Sequence, residues 1–507
     1  MAIDADVRNR VPITIALMLA TVMNSLDTTI ANVALPHIQG SISASPDQIT
    51  WVLTSYLIAT AIMTPLSGWL SVRIGRKALF MISIGGFTGA SMLCGIANSL
   101  GEIVAFRLLQ GLFGAALLPL SQAVVLDLYP PRQIGQVMAL WGAAAILGPI
   151  FGPAIGGWLT DNLSWRWVFY INLPIGILAF SGVSLFMKGG GESRARRFDF
   201  IGFGALTVFI SAFQLVVDRG PSQDWFASSE IWTELIVGVV GLWVFLVQTF
   251  TVAEPFFHRA LALDRNFVTC TIFGFFVGIL LFSSMALLPP MMQQLMNYPA
   301  LTSGLVSMPR GLGSFVAMFA VGQLIGRVDT RLILFTGLSL SAFALWQMTH
   351  FDLAMDATPI MVTGVIQGLG IGLIFVPLST LAFATLAPRH RPEATGLYTL
   401  MRSLGASVGI SIMQALWTSN TQVVHSSLVT HIDPSDPVTR AALPPMFDFT
   451  NPAGIQALNG EITRQAAMVA YVDDFRVMML ITLAVMPLLL LMRTPKFAAE
   501  ASHVAVD

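Results

Sequence analysis

Apolar residues dominate fourteen separate stretches of this 507-residue chain, and each stretch is long enough to cross a lipid bilayer. A membrane-spanning helix needs about 20 mostly apolar residues, because each residue adds about 1.5 Å to its length. The pattern therefore predicts an all-α polytopic membrane protein with fourteen transmembrane helices. The predicted spans are 12–36, 49–72, 78–98, 103–126, 136–159, 167–187, 199–217, 231–252, 267–290, 304–326, 332–349, 358–382, 395–417 and 476–493.

Basic residues fall mainly in alternate connections between these spans. Arginine and lysine near span ends stay on the cytoplasmic side of a membrane, so the side with the excess predicts the orientation. Eighteen basic residues share one side: Arg8, Arg10, Arg73, Arg76, Lys77, Arg132, Lys188, Arg194, Arg196, Arg197, Arg259, Arg265, Arg327, Arg331, Arg389, Arg391, Arg493 and Lys496. Five lie on the other side: Arg166, Arg219, Arg440, Arg464 and Arg476. We therefore expect both termini in the cytoplasm and the connection 418–475 outside.

Composition excludes several classes of protein. With 55% hydrophobic and 10% charged residues, the chain does not fit a soluble globular protein. Cys94 and Cys270 lie inside predicted spans and the seven histidines are scattered, so neither a disulfide framework nor a metal site is indicated. No nucleotide-binding loop or nucleophile motif is present, which disfavours an ATP-driven pump or an enzyme. The net charge of −1 indicates no particular partner, and we expect no nucleic acid among the partners.

The two halves of the chain repeat each other. L-Q-G-L-F-G-A-A-L-L-P-L-S from Leu109 in the fourth span matches I-Q-G-L-G-I-G-L-I-F-V-P-L-S from Ile366 in the twelfth. Two further matches join Gly68 with Gly322, and Gly135 and Gly148 with Gly396 and Gly409. Each match pairs a span with the span eight later. The repeat predicts two six-helix bundles with two helices inserted between them, divided as 1–187, 188–266 and 267–507. Parallel six-span repeats are typical of secondary transporters.

Two connections are long enough to have a role of their own. The stretch K-G-G-G-E-S-R-A-R-R at 188–197 is consistent with a flexible linker and equally with a basic anchor on the cytoplasmic side. The connection 418–475 is either a solvated spacer or a docking surface for another envelope protein. A helix is expected over 454–471, while prolines interrupt the first part at Pro434, Pro437, Pro444, Pro445 and Pro452.

The fifth span carries the densest motif, G-A-A-A-I-L-G-P-I-F-G-P-A-I-G-G at 142–157. Glycines at four-residue spacing expose a stripe of bare backbone that another helix can approach closely. Prolines remove backbone donors and kink a helix. Helix packing alone is the alternative interpretation of these residues. The motif residues are Gly142, Gly148, Pro149, Gly152, Pro153, Gly156 and Gly157.

Only a few charged residues lie inside the spans away from their ends: Asp27, Arg107, Arg310 and Arg402. A charge at the bilayer centre costs about 2.5–3.5 kcal/mol on insertion scales, so such residues are rare and usually pair or line a cavity. Asp27 is expected about 22 Å from the inner membrane face, and Arg107 about 7 Å below the outer face. The two side chains are therefore expected to meet in the outer half of the first bundle.

Four motifs together resemble one known family. The stretch 142–157 resembles the antiporter signature of the major facilitator superfamily, 68–77 its cytoplasmic signature, and 107–116 its fourth-span signature. L-D-T-T-I-A-N-V-A-L-P at 26–36 is similar to the first-span signature of the fourteen-span drug:proton antiporters. Across essentially its whole length, the chain resembles exporters of the EmrB/QacA type, on the EmrB side. The resemblance implies the major facilitator fold and transport out of the cell.

A role in proton coupling follows for the first bundle. Burial disfavours an ionised carboxylate while a nearby guanidinium favours it, so access of water or drug can change its protonation. We hypothesise that Asp27 carries the coupling proton and Arg107 tunes it, with Gln110 and Asn32 as polar neighbours. A structural salt bridge between spans one and four is the alternative. Since the second repeat has Gly364 in place of Arg107, proton handling is expected in the first bundle.

The cytoplasmic signature departs from the superfamily pattern at one position. Val72 stands where many members have an acidic residue, which in the family helps to hold the bundles together in the outward-open state. A latch here needs another acid, and Asp127 is the candidate. The residues of the predicted gate are Gly68, Arg73, Gly75, Arg76, Lys77 and Asp127.

The second bundle carries the remaining charges inside spans. Arg310 and Arg402 are each expected either to bind an anionic group of a substrate or to extend toward the membrane surface. Arg402 takes the position that Trp141 holds in the first bundle. Twenty-five methionines and thirty-four phenylalanines suit an adaptable apolar cavity.

These observations predict an exporter of lipophilic compounds in the bacterial inner membrane, working by alternating access and drug:proton antiport. The proton-motive force drives it, and no cofactor is expected. The resemblance also implies a tripartite pump with an EmrA-like periplasmic adaptor and a TolC-like outer-membrane channel. The alternatives are a dedicated exporter of one metabolite, siderophore or antibiotic, a stand-alone QacA-like exporter, and a membrane sensor or enzyme.

Overall fold

The computed structural model describes residues 9–49, 51–189, 198–325, 327–387, 390–432 and 443–492. Fourteen long helices follow one another in these residues, and each contains most of one predicted span. They are α1 (Arg10–Ile42), α2 (Trp51–Arg73), α3 (Arg76–Ile96), α4 (Leu100–Gly114 and Leu117–Leu128), α5 (Pro131–Asn162), α6 (Trp167–Tyr170 and Asn172–Phe186), α7 (Phe200–Arg219), α8 (Ser229–Thr251), α9 (Arg265–Pro290), α10 (Ala300–Leu324), α11 (Thr330–Met348), α12 (Ala357–Ala384), α13 (Arg391–Thr430) and α14 (Pro452–Val485).

Thirteen helices in the described residues are long and apolar enough to cross a membrane. The helix outside this set is α13, whose apolar stretch is interrupted by Arg402, Ser403 and Ser407. The prediction of an all-helical multi-pass membrane protein is confirmed. Thirteen of the fourteen predicted spans are thus confirmed by length and composition. The remaining one, in α13, is helical through 395–417 but does not meet the same criterion.

Equivalent helices pack in the same pairs in the two halves. α1 packs on α5 as α9 packs on α13, and α3 packs on α6 as α11 packs on α14. α2 packs on α4 as α10 packs on α12, and both contacts depend on glycine. A Cβ at Gly111 of α4 would lie 2.6 Å from the carbonyl oxygen of Tyr56, and one at Gly368 of α12 would overlap the carbonyl of Arg310. The packing agrees with the repeat, while the boundaries 1–187, 188–266 and 267–507 stay predictions.

Two helix pairs join the bundles. α5 packs along α10, where a Cβ at Gly135 would lie 3.2 Å from Ile325 and one at Gly304 would lie 3.2 Å from Ala154. α2 packs on α13, the pair related to α10 and α5 by the repeat. We call the end of the molecule with the α2–α3 connection the inner end, and the opposite end the outer end.

The inserted helices α7 and α8 pack on each other, and α7 also packs on α2 and α13. Gln214 of α7 donates from Nε2 to Ser407 Oγ of α13 at 2.7 Å. At the outer end of the pair, Arg219 contacts Glu230 at 2.6 Å and Glu234 at 3.1 Å on α8. The insertion is therefore attached to the outside of both bundles.

The connection 418–475 is mostly helical. α13 continues to Thr430 and α14 already begins at Pro452, which confirms the predicted helix over 454–471. Trp417 Nε1 donates to the carbonyl of Ala467 at 3.3 Å, and His425 Nε2 lies 3.0 Å from Asn459 Oδ1. We call residues 418–430 and 452–475 the outer hairpin. Pro434 and Pro437, and residues 190–197 of the predicted linker, lie outside the described residues.

Candidate functional site

Asp27 and Arg107 meet inside the first bundle. Arg107 Nη1 donates to Asp27 Oδ2 at 2.7 Å, and each side chain is 1% exposed. Asp27 Oδ1 accepts from Gln110 Nε2 at 2.7 Å and from Asn172 Nδ2 at 2.8 Å. The structure thus brings the predicted pair into direct contact and adds two amide donors from α4 and α6.

The guanidinium of Arg107 is held on several sides. Its Nε donates to the carbonyl of Val52 at 3.2 Å, and Nη1 also donates to Gln110 Oε1 at 2.8 Å. Its central carbon lies 4.3 Å from the ring centroid of Tyr56 on α2, a cation–π distance. The close approach of α2 and α4 at Gly111, one turn further along α4, brings Arg107 over that ring.

Asn172 belongs to this cluster although the sequence did not single it out. It is fully buried at the start of the second segment of α6, and Nδ2 also lies 2.9 Å from Ser91 Oγ on α3. Its only signal in the sequence is a polar residue inside the predicted span 167–187. The cluster of Asp27, Arg107, Gln110, Asn172 and Tyr56 is called the buried polar cluster below, and its contacts reach five helices.

Asn32 was expected beside Asp27, and the structure places it elsewhere. It is an exposed residue of α1. Five residues along a helix correspond to a rotation of about 140° away from the starting face, which directs Asn32 off the bundle interior. Asn172, from a different helix, supplies the amide that was expected from Asn32.

Protonation of Asp27 changes what this cluster can do. An ionised carboxylate only accepts hydrogen bonds, and here it accepts three. A protonated carboxyl carries its own donor and no charge, so Arg107 is then left as a buried cation without a counter-ion. Removing one member of a buried ion pair costs about 3–5 kcal/mol. A change in the protonation of Asp27 therefore favours a rearrangement of the helices that hold the pair.

The glycine motif of α5 packs directly beside Asp27. A Cβ at Gly148 would overlap the backbone of Ser25, one at Gly152 would overlap Thr29, and one at Gly156 would lie 3.3 Å from Ile30. The backbone stripe of α5 therefore lies against α1 on both sides of Asp27. Gly142 faces the second bundle instead, 3.3 Å from Met318 and Val376, and Gly157 is buried.

Hydroxyl groups of α1 bond to the same stretch of α5. Ser25 Oγ donates to the carbonyl of Ala145, the group that Pro149 leaves without its usual helical donor. Thr29 Oγ1 donates to the carbonyl of Gly148 at 3.1 Å. α5 remains one helix through both Pro149 and Pro153. The motif thus fixes the segment of α1 that carries Asp27.

A second charged cluster joins the bundles at the inner end. Asp127, near the end of α4, accepts from Arg76 Nη1 at 2.8 Å and from Arg391 Nη1 at 2.7 Å. Arg391 is the first residue of α13, so this pair crosses between the bundles. Next to it, a Cβ at Gly68 would lie 2.9 Å from the Cα of Glu393. We call Asp127, Arg76 and Arg391 the inner ion cluster.

The remaining residues of the predicted gate shape the turn between α2 and α3. Gly75 has a φ of +86°, a conformation that L side chains rarely adopt, and it directly precedes Arg76. Arg73 ends α2. Lys77 Nζ donates to the carbonyl of Ser184 on α6 at 2.7 Å, which keeps this lysine within the first bundle.

Arg310 occupies the place in the second bundle that corresponds to the buried polar cluster. It is 7% exposed, and Nη2 donates to Ser284 Oγ at 2.7 Å and to the carbonyl of Leu281 at 3.3 Å. In the repeat that aligns Gly68 with Gly322, Tyr56 corresponds to Arg310. Gly364 corresponds to Arg107. The second bundle therefore keeps a guanidinium, supplied by the opposite helix, and Arg310 forms no ion pair with the described residues.

Arg402 lies at the centre of the molecule. Its guanidinium carbon is 5.1 Å from the ring centroid of Phe375, and that ring stacks on Trp141 of the first bundle at 6.2 Å. Trp141 Nε1 donates to Ser121 Oγ at 2.9 Å. With Arg402 8% exposed, both arginines of the second bundle lie inside the protein rather than at its membrane surface.

Comparison with known proteins supports the interpretation of the chain as a membrane transporter. The sequence profile of the Major Facilitator Superfamily matches residues 17–410. The chain is 36% identical over 431 residues to the multidrug export protein EmrB of Escherichia coli strain K12, covering 84% of each chain. It is 33% identical over 497 residues to the fatty acid resistance protein FarB of Neisseria gonorrhoeae, covering 97% of each.

Solved structures agree on the fold. The human organic anion transporter MFSD10 superposes with a TM-score of 0.60 at 14% identity, covering 93% of this chain and 99% of that one. The proton:xylose symporter XylE superposes with a TM-score of 0.59 at 12% identity, covering 93% and 95%. The length of the profile match and the identity to the curated relatives together decide the assignment. The chain belongs to the major facilitator superfamily and, within it, to the EmrB-type multidrug exporters.

Proposed function

We propose that this exporter is a drug:proton antiporter in which Asp27 carries the coupling proton. The observation that supports this most strongly is the fully buried pair of Asp27 and Arg107, held by Gln110 and Asn172. A charge pair inside a transmembrane bundle is costly and usually functional. The alternative of a purely structural salt bridge predicts the same contact but no exchange of protons.

The proton cycle follows from the contacts of Asp27. A proton arriving from outside neutralises the carboxylate, weakens its bond to Arg107 and favours the conformation open to the inside. Release of the proton to the cytoplasm restores the pair and the conformation described here. Each proton entering the cell releases about 2.3 kcal/mol per 100 mV of membrane potential.

The inner ion cluster supports the second part of the cycle. In alternating access one end is closed while the other admits substrate. Asp127 connects Arg76 to Arg391, and Gly68 packs on Glu393, so the inner end is closed in this structure. We assign to Asp127 the part that the acid missing at Val72 takes in the family. Opening to the cytoplasm requires the ion pair of Asp127 with Arg391, which crosses between the bundles, to break.

Lipophilic compounds are the proposed substrates, and two arginines favour those with an anionic group. Arg310 and Arg402 have no acidic partner among the described residues, and Phe375 and Trp141 supply flat apolar surface beside Arg402. A guanidinium without an acidic partner can bind a carboxylate or a similar anion. Competition between unrelated compounds for transport would distinguish this multidrug site from a dedicated exporter of one metabolite, siderophore or antibiotic.

The inner membrane is the proposed location, with both termini in the cytoplasm. We further propose an EmrA-like adaptor and a TolC-like channel as partners, which would carry the substrate across the outer membrane. The likeness to EmrB and the outer hairpin support this proposal. A stand-alone exporter of the QacA kind would use the same membrane helices without these partners.

Proton release from purified protein in detergent tests the central proposal. Adding a lipophilic drug to the wild type should displace protons, and Asp27→Asn should abolish this release while leaving drug binding measurable. Asp161→Asn is the control, because Asp161 lies at the exposed outer end of α5. If Asp27→Asn releases as many protons as the wild type, the coupling residue is another group and the proposal fails.

A further inference from the structure

A second buried acid lies in the other bundle, far along the sequence from Asp27. Asp474 of α14 has a relative exposure of 0%, and neither of its carboxylate oxygens has a hydrogen-bond partner among the described residues. Every other acidic residue with less than 9% exposure in the described part of the chain has a partner. Asp27, in contrast, accepts three hydrogen bonds. The lack of hydrogen-bond partners for Asp474 therefore requires an explanation.

The side chains next to Asp474 on its face of α14 are large and mostly apolar. Tyr471, Phe475 and Met478 share its face of α14 at helical spacing, and each is at most 2% exposed. They belong to a methionine-rich cluster with residues of α9, α11, α12 and α13. Phe351, just after α11, lies 6.0 Å from Phe475 by ring centroids, and Trp417 of α13 lies 5.3 Å from Tyr471.

No charged group compensates Asp474. The neighbouring Asp473 is paired with Arg476 at 3.1 Å. Tyr471 is the ionisable side chain on the same face of α14. The ionisable side chains on the helices that pack against α14 are Arg265 and Cys270 of α9, Arg331 of α11, and Arg391, Glu393, Tyr398, Arg402 and His425 of α13. Asp474 forms no ion pair with any of these described residues.

A carboxylate without partners in such a cluster is far more costly than a neutral carboxyl, so burial favours the protonated form. The location of Asp474 indicates a role for this proton in transport. Asp474 lies at the level where α11 ends and the outer hairpin begins, on the side from which an antiporter takes its protons. The corresponding helix of the first bundle, α6, carries the fully buried Asn172 near the same end. In the first bundle, Asn172 donates a hydrogen bond to Asp27. In the second bundle, the buried polar side chain is the acid Asp474 itself.

We propose that Asp474 is a second proton-binding residue of this exporter, located at the outer end of the second bundle. It holds a proton in the conformation described here and releases it when the methionine-rich cluster opens to water. Its part in coupling rests on the proposed antiport, but its protonation does not. Two bound protons, one in each bundle, then accompany a transport cycle.

The first experiment measures protonation by thermal unfolding of the purified full-length protein in detergent. Above about pH 5 an aspartate of the unfolded chain is ionised, since its ordinary pKa is about 3.9. The wild type must then take up a proton on folding, and its stability falls as the pH rises. Asp474→Asn lacks this requirement. Its unfolding midpoint should exceed that of the wild type by an amount that grows from about pH 5 to about pH 9.

Asp473→Asn is the matched control, because it removes the adjacent acid, which is half-buried and paired with Arg476, and should give a difference that stays nearly constant with pH. A constant difference for Asp474→Asn as well would overturn the proposal. Infrared spectroscopy provides an independent measurement that needs no unfolding. The wild type at neutral pH should show the absorption of a protonated carboxylic acid, and this band should decrease in Asp474→Asn. An unchanged band would equally contradict the assignment.

Drug-induced proton release separates this inference from the proposed function. If both hold, the wild type releases more protons per bound drug than Asp474→Asn, and Asp27→Asn removes a different share. If drug releases no protons from the wild type, antiport fails, while the unfolding and infrared results for Asp474 still decide its protonation. If release is equal in the wild type and Asp474→Asn, the residue has no part in coupling.

Discussion

Asp27 and Asn172 show how one amide can help to hold a buried carboxylate in place. Asn172 donates to the Oδ1 atom of Asp27, and a hydrogen bond to the charged form favours that form. Asn172→Ala should therefore weaken the hydrogen bonds that hold the ionised carboxylate beside Arg107. We expect drug-induced proton release to differ from that of the wild type, with a loss of stability of about 1–3 kcal/mol.

Asn32→Ala is the matched control for this prediction. Asn32 is exposed on the same helix as Asp27, so its replacement should leave the proton release and the stability unchanged. If the two alanine variants behave alike, the contact of Asn172 with Asp27 does not govern proton release. The measurement is the release of protons by drug, followed over a series of pH values in both variants.

Asp127 supports a second prediction, about the balance between conformations. Its pair with Arg391 crosses between the bundles at the inner end, and its pair with Arg76 lies within the first bundle. Hydrogen bonds to charged groups contribute about 1.5–3 kcal/mol each when they are well shielded. Asp127→Asn should move the population toward the inward-open form by about tenfold for each 1.4 kcal/mol lost. Spin-label distances between the inner ends of α2 and α13 would measure the shift.

Arg391→Gln removes only the contact of Asp127 that crosses between the bundles. It should have a smaller effect than Asp127→Asn, and combining the two should add little, because both act on the same interaction. Full additivity of the two effects would show that Asp127 and Arg391 act independently and that the inner ion cluster is not a latch.

The residues of the candidate site were predictable to different degrees. Asp27 and Arg107 stood out because charges inside apolar spans are rare, and helix depth alone placed them at similar levels. Asn172 did not, since an uncharged amide in a span costs less and gives no pairing signal. Asp474 was assigned to the outer connection because the last apolar run begins at 476. Burial by a helix packed above the membrane is not visible in hydropathy.

Helix α5 illustrates the same limit at the scale of elements. The spacing of its glycines predicted a close helix contact, but only the structure identifies α1 as the partner. Gly148→Ala should be strongly destabilising, because its Cβ would overlap the backbone of Ser25 and a backbone cannot yield as a side chain does. We expect a loss of about 1–3 kcal/mol, the usual cost of overpacking, together with loss of transport.

Gly89→Ala in α3 is the control for this prediction, since a Cβ there meets nothing within 4 Å. It should retain folding and transport, and it should gain slightly in helix propensity. Thermal unfolding in detergent and a cellular drug-resistance assay measure the two effects. Wild-type stability and transport in Gly148→Ala would contradict the role of the motif in fixing α1 beside Asp27.

The sequence predicted only one of the two helical segments of the outer hairpin. Hydropathy marks the part of a helix that contacts lipid, whereas α13 and α14 continue beyond it because they pack on each other through Trp417 and Tyr471. The hairpin also exposes apolar side chains: Val423 is 63% exposed and Ile455 is 50% exposed. An adaptor that docks there would cover such residues.

Val423→Arg combined with Ile455→Arg tests this docking surface. In cells with two membranes, the double variant should lose resistance, because the substrate no longer crosses the outer membrane. Transport into inverted inner-membrane vesicles should be retained, since the membrane helices are unchanged. Loss of transport in the vesicles would instead show that the hairpin serves the transporter itself, and retained cellular resistance would show that no partner depends on these residues.

At the scale of the whole molecule, the two bundles share packing but differ in charge. The repeat keeps the glycine contacts of α2 with α4 and of α10 with α12. It places Asp27 with Arg107 in one bundle, and Arg310 without an acid in the other. Under the proposed antiport, the ion pair of the first bundle takes part in proton coupling, and the arginines of the second bundle are available to an anionic substrate. A fold comparison responds to helix packing and not to such charge differences. Transporters at 12–14% identity can therefore share the fold.

The orientation in the membrane decides which end of the molecule faces the cytoplasm, and it yields the last prediction. The excess of basic residues predicts that the inner end lies in the cytoplasm, so Gly189 should lie inside and Val423 outside. Single cysteines at these positions, in a variant with Cys94 and Cys270 replaced, should react with a membrane-impermeant thiol reagent from opposite sides. Intact cells should label Val423→Cys alone, and inverted vesicles should label Gly189→Cys alone. The reverse pattern would place the inner ion cluster outside and would contradict its proposed role as the gate on the cytoplasmic side.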